Sequence, residues 1–88
     1  MIERTVTICN KAGMHTRPAA VLVKTAAKFK AELTIKKDAF EINGKSIIGV
    51  MTLAAEKGSS LLLKFDGPDE EAAAAAVVEL IERGFDEE

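Results

Sequence analysis

Residues that could do chemistry are few in this chain, and the most telling of them sit together. His15 is the only histidine, and it lies in Gly13-Met14-His15-Thr16-Arg17-Pro18-Ala19. Pro18 sets the register of the segment after it. In a helix interior proline costs about 3 kcal/mol, but in the first turn its missing N–H would have had no acceptor. Helical apolar spacing begins at Ala19, so a helix is expected from about Thr16, with His15 at the N-cap or one residue before it. The backbone N–H groups of Thr16 and Arg17 would then face whatever the imidazole carries. Helix N-termini hold anions through such donors and through the dipole, and the Arg17 guanidinium adds a full charge. Neutral imidazole offers a nucleophilic lone pair, so the stretch points to a histidine that takes up and surrenders a phosphoryl group. An exposed helix end contributes about 0.3–1 kcal/mol to holding an anion, enough to orient the group without trapping it. The plainer alternative is a histidine that only caps a helix.

Ser46 is the second group of interest, within Gly44-Lys45-Ser46-Ile47-Ile48-Gly49-Val50-Met51. A serine before a helical run is an ordinary N-cap, worth about 1 kcal/mol with no regulation attached. A phosphate there would add a charge of about −1.5 to −2. The helix tolerates that charge locally, so the effect would fall on docking. Ile47, Ile48 and Met51, together with Pro18, Ala20 and Lys24 from the first helix, are the candidate docking residues beside His15. Cys9 reads as a small buried or strand-end residue, with nothing nearby in sequence to activate it.

These groups need elements to hold them. Ile2 to Ile8 alternates as a half-buried strand with Ile2, Val6 and Ile8 inward, although Arg4 interrupts the inward set. The first helix is expected over about 16–30, with Ala19, Leu22, Val23, Ala26 and Phe29 as its buried stripe. Lys24, Lys28 and Lys30 lie off that stripe. Glu32 to Lys37 forms a second strand, Phe40 and Ile42 a short third one, and the tight link between them suggests a hairpin. Ser46 opens a short helix to about Ala54, with Ile47, Val50, Met51 and Ala54 at helical spacing. Leu61, Leu63 and Phe65 point one way along a fourth strand. Gly67-Pro68-Asp69-Glu70-Glu71 opens a last helix, where Gly67 and Asp69 compete as cap. Ala73, Val77, Leu80 and Ile81 carry its buried face, and Gly84 stops it. Phe85 can fold back as an apolar clamp, and Asp86 to Glu88 reads as a solvated acidic tail. Every strand is apolar on one side, so all helices should cover the same sheet face of a two-layer α+β domain. This pattern fits a ferredoxin-like sheet and an open-faced β-sandwich equally.

Composition narrows the class. At 88 residues the chain makes a single domain, and 48% hydrophobic content favours a folded globule. A net charge of −2 with no Trp or Tyr argues against nucleic acid. No apolar run approaches the roughly 18 residues that read as a membrane span, and one cysteine cannot make an internal disulfide. A soluble, cytoplasmic, reduced protein is expected, with no metal and no cofactor. An independent enzyme with His15 as general base finds little support, since paired carboxylates and ligand clusters are missing from the pattern.

Gly13, His15, Arg17, Pro18 and Ala19 resemble the active-site signature of the HPr family, the histidine phosphocarriers of the bacterial phosphotransferase system. The segment from Gly44 to Met51 resembles the same family's regulatory serine region, and the similarity runs over nearly the whole chain. The resemblance implies an open-faced β-sandwich: a four-stranded antiparallel sheet in the order 1-4-2-3 with three helices on one face. It also implies a monomeric phosphocarrier rather than an enzyme. Phosphorylated enzyme I would be the donor to Nδ1 of His15, enzyme IIA-type proteins the acceptors, and HPr kinase/phosphorylase the modifier of Ser46. Glu82 to Glu88 resembles the nitrogen-related paralogue, whereas Lys45-Ser46-Ile47 resembles the sugar-transport form. The branch therefore stays open, including a regulatory binding module of a nitrogen-type branch that acts by protein–protein contact.

Overall fold

Alternation along the strands becomes the two faces of one sheet. The computed structural model describes residues 1–86. In chain order it contains β1 (Ile2–Thr7), α1 (Thr16–Ala26), β2 (Glu32–Lys37), β3 (Phe40–Asn43), α2 (Ile47–Thr52), β4 (Ser60–Asp66) and α3 (Glu70–Glu82), then a 3-10 turn over Gly84–Asp86. The four strands pair antiparallel in the order β1-β4-β2-β3. That order settles the topology the periodicity left open, in favour of the open-faced β-sandwich. Val6, Ile8, Leu33, Ile35, Leu61, Leu63 and Phe65 are buried, with Ala19 and Leu22 of α1, Val50 of α2, and Val77 and Ile81 of α3 packed in the same core. Glu3, Thr5, Thr7 and Lys36 on the other face stay exposed. Each large apolar side chain taken fully from water contributes about 1.5–3 kcal/mol, which makes this single layer of contacts the main source of stability.

The first two helices differ from the periodic reading. α1 ends at Ala26 rather than near Lys30 because its exit tightens: Lys28 N–H donates to Thr25 O at 3.2 Å and Phe29 N–H to Ala26 O at 3.1 Å. The next two N–H groups, of Lys30 and Ala31, donate to the Asp69 carboxylate at 2.9 and 2.8 Å. α2 ends at Thr52 rather than Ala54, and Ala54 itself turns to φ 50°. Of the apolar positions at helical spacing, Val50 is buried, as is Leu53 just past the helix end, while Ile47 and Met51 stay exposed, in keeping with their expected place on a surface. The sheet lies beneath Val50, and the remaining apolar positions look outward.

Asp69 does take the N-cap position of α3, but its side chain makes no capping bond there. It serves the entry to β2 instead, and Gly67 N–H donates to Glu70 Oε1 at 3.1 Å. Gly84 stops α3 at φ 68°, and Phe85 is buried behind it. Of the expected acidic tail, Asp86 is exposed and accepts from Arg83 Nε at 2.9 Å, while Glu87 and Glu88 lie outside the described residues.

The two carboxylates at this corner link stability to pH. The Lys30 N–H holds the Asp69 carboxyl below its ordinary value against the opposing cost of burial, helped by the Ala31 N–H. Glu70 is likewise lowered, first by the Gly67 N–H and then by the N-terminal ammonium. Because the folded values lie below the unfolded ones, this stabilisation is complete above about pH 4 and is lost as pH falls through the folded values. Urea midpoints should therefore drop more steeply below about pH 4 in the wild type than in Asp69→Asn. Parallel curves for the two proteins would remove the clamp from the acid response.

Candidate functional site

Local chemistry places His15 where the proline register put it. His15 is the N-cap of α1, in extended backbone at φ −95° and ψ −169°, and its carbonyl accepts the Ala19 N–H at 2.9 Å. The imidazole makes no capping bond to the helix, and the residue is exposed. Thr16 and Arg17 fill the first two helical positions and are exposed. N–H groups at those positions have no intrahelical acceptor. The first turn of α1 carries no acidic residue, so no carboxylate of the helix itself offsets the positive end. This is an open, electropositive helix start with an imidazole and a guanidinium on it.

The loop leading into it is tightly built. Gly13 adopts φ +74°, and a Cβ there would lie 2.7 Å from Ala55 O and 3.0 Å from Glu56 Cα. Met14 is buried, and its N–H donates to Ala55 O at 2.7 Å. The stretch after α2 thus forms the floor under the residues that precede His15. Gly13 was legible in the sequence as part of the signature around His15, but its contact with Ala55 was not. The positive-φ glycine was the available signal, but its contact is with residues more than forty positions away.

Ser46 caps α2, its Oγ accepting the Gly49 N–H at 3.2 Å. Next to it, Lys45 Nζ donates to the Phe29 carbonyl at 2.8 Å, just past the C-terminal end of α1. The opposite end of α2 leads to Ala55, at the N-terminal end of α1. The two helices therefore lie alongside each other in opposite directions, with Ser46 remote from His15. α1, with 11 residues, is about 16 Å long, which sets the scale of that separation. That length is roughly twice the Debye length in physiological salt, so over a distance of that order a charge on Ser46 would be largely screened from a group on His15.

Between the two lies the apolar surface. Ile47 is 38% exposed, Ile48 76% and Met51 41%. Ala20 and Lys24 are exposed on α1. Pro18 is not part of this surface: it is among the fully buried side chains, because the third helical position of α1 turns towards the core. Its expected role in docking is replaced by a role in packing the helix start. Among the described residues, no group of three His, Cys, Asp or Glu side chains is placed to hold a metal. No helix among them is long and apolar enough to cross a membrane.

Comparison with known proteins agrees with this arrangement over the whole chain. The family model for the PTS HPr component phosphorylation site matches residues 2–83. Phosphocarrier protein HPr of Treponema pallidum is 44% identical over 88 residues, covering 100% of both chains. A crystal structure of HPr from Thermoanaerobacter tengcongensis superposes with a TM-score of 0.96 at 46% identity, covering 100% of this chain and 99% of that one. A crystal structure described as an HPr dimer from the same organism gives 0.79 at 46% identity, covering 99% and 100%. With the signature, the fold and the relatives in agreement, the chain belongs to the HPr family of phosphocarrier proteins of the phosphotransferase system.

Proposed function

We propose that His15 accepts a phosphoryl group from phosphorylated enzyme I and passes it to enzyme IIA-type proteins in the cytoplasm, the chain acting as a monomer. The observation that carries this reading is the exposed imidazole at the open N-cap of α1, with Arg17 beside it. The Nδ1 lone pair attacks phosphorus on the donor; the N–P bond forms as the donor's bond to phosphorus breaks, and the donor keeps that electron pair. Transfer onward reverses the sequence. In-line displacement needs access from solvent on the attacking side, which an N-cap residue provides. The amides of Thr16 and Arg17, with the guanidinium, meet the charge on the phosphoryl oxygens. Incubation with phosphoenolpyruvate and enzyme I tests the proposal: acid-labile, base-stable label on His15 supports it, and an unlabelled chain rejects it.

Docking in this reading uses Ile47, Ile48 and Met51 with Ala20 and Lys24. Phosphorylation of Ser46 by an HPr kinase/phosphorylase would regulate it. Since screening weakens a direct effect on His15, the new charge acts mainly at the rim of the apolar surface, where a partner would have to desolvate it. Ser46→Asp retains an N-cap acceptor, so α2 should persist and thermal unfolding should barely change. Affinity for enzyme I should fall about tenfold, as an interfacial charge without a partner costs at least about 1.4 kcal/mol. Wild-type affinity in a calorimetric titration would retire this regulation.

A further inference from the structure

The peptide unit joining Gly13 to Met14 is held at both ends. Its carbonyl oxygen accepts from Asn10 Nδ2 at 2.8 Å and from the backbone N–H of His15 at 3.1 Å. Its N–H donates to Ala55 O at 2.7 Å. Gly13 N–H closes the loop on the Asn10 carbonyl at 3.1 Å, and Asn10 is only 3% exposed. Among the described residues it is the only polar one that is buried.

A glycine at φ +74° leaves the following peptide free to turn over, because no Cβ opposes the rotation. Turning it would take the acceptor away from the His15 N–H and the donor away from Ala55. The buried amide of Asn10 opposes that rotation. With the peptide in its observed orientation, the His15 N–H points back into the loop, and the N–H groups of Thr16 and Arg17 are left as the outward donors of the helix start. We infer that Asn10 is a positioning residue, whose side-chain amide holds the Gly13–Met14 peptide so that His15 is presented for transfer. This rests on the reading of His15 as the phosphoryl acceptor.

The test uses the full chain in single-turnover phosphorylation by phosphorylated enzyme I, with the carrier concentration varied. Asn10→Ala should lower the transfer rate constant by about tenfold to a hundredfold, since small misplacements of a reacting group have effects of that size. The half-saturating concentration should stay within about twofold, because the docking residues on α1 and α2 are untouched. Asn10→Asp keeps the shape and turn preference but lacks the amide donor. It is the second variant, assayed at a temperature where circular dichroism shows it folded. A folded variant with the wild-type rate constant overturns the inference, and so does a change confined to half-saturation. Wild-type chain that takes no label overturns the acceptor reading along with it; labelled wild type with equally fast Asn10 variants overturns this inference alone.

Discussion

His15→Ala is expected to abolish phosphoryl acceptance from enzyme I while leaving the thermal midpoint within about 4 °C of wild type. The loss should be complete because the chain has no second histidine to take over, and the Thr16 hydroxyl beside it has no base in the helix start to activate it. The fold should survive because the imidazole makes no capping bond to α1 and the residue is exposed. The bond that begins the helix comes from the His15 carbonyl, which alanine also has. Exposed substitutions of this kind change stability by about 0.5 kcal/mol or less. Label appearing elsewhere in the variant would reject His15 as the acceptor. A midpoint lowered by about 10 °C or more would instead make the residue structural.

Gly13→Ala should be the most damaging single methyl in the loop. Left-handed backbone at φ +74° costs a non-glycine residue about 1–2 kcal/mol. The added Cβ would also stand 2.7 Å from Ala55 O, a backbone atom with little room to retreat. Overpacking of that sort typically costs about 1–3 kcal/mol. Together these approach a large fraction of the roughly 5–15 kcal/mol that a domain usually has. The thermal midpoint should fall by about 10 °C or more. Phosphoryl transfer should slow as well, since displacing Ala55 displaces its partner Met14, the residue before His15. Gly58→Ala is the matched control: its φ is +94°, but nothing lies within 4 Å of the added Cβ. Equal losses in the two variants would show that close approach to Ala55 contributes nothing.

The dimeric form described for the Thermoanaerobacter relative bears on docking. The proposed surface needs the outer sides of both α1 and α2 open to a partner protein. A second copy seated there would compete with enzyme I, so transfer assays are best run at low carrier concentration, with the oligomeric state measured alongside.

Much of the site was legible in the residue pattern because its determinants are local. Proline is best tolerated in the first turn, and that constraint narrowed His15 to the N-cap or the residue before it without any tertiary contact. Serine before a helical run located the second cap in the same way. Period-two apolar residues marked the inward faces of β1, β2 and β4, and Gly84 marked the end of α3; on β3 the pattern failed, since Phe40 is 68% exposed at the sheet edge. The sheet order was a different matter: periodicity left two topologies, and the family resemblance chose between them before the pairing of β4 with both β1 and β2 confirmed it.

Other features depend on residues far apart in the chain and emerge only in the folded molecule. Asp69 takes the N–H groups of Lys30 and Ala31, so α1 stops early although its own apolar spacing continues to Phe29. α2 and the residue after it turn Val50 and Leu53 inward because the sheet lies beneath them, whereas the exposure of Ile47, Ile48 and Met51 was already expected. Pro18 is drawn into the core by the same packing. Ala55 reaches the loop before His15 only after the chain has passed through α1, β2, β3 and α2. The sequence by itself determined which residue could carry a phosphoryl group and where on its helix it stands, since dihedral limits and capping act between neighbours. How firmly the loop holds that residue, and that Pro18 packs inward, were decided by folding, which alone brings distant groups into contact.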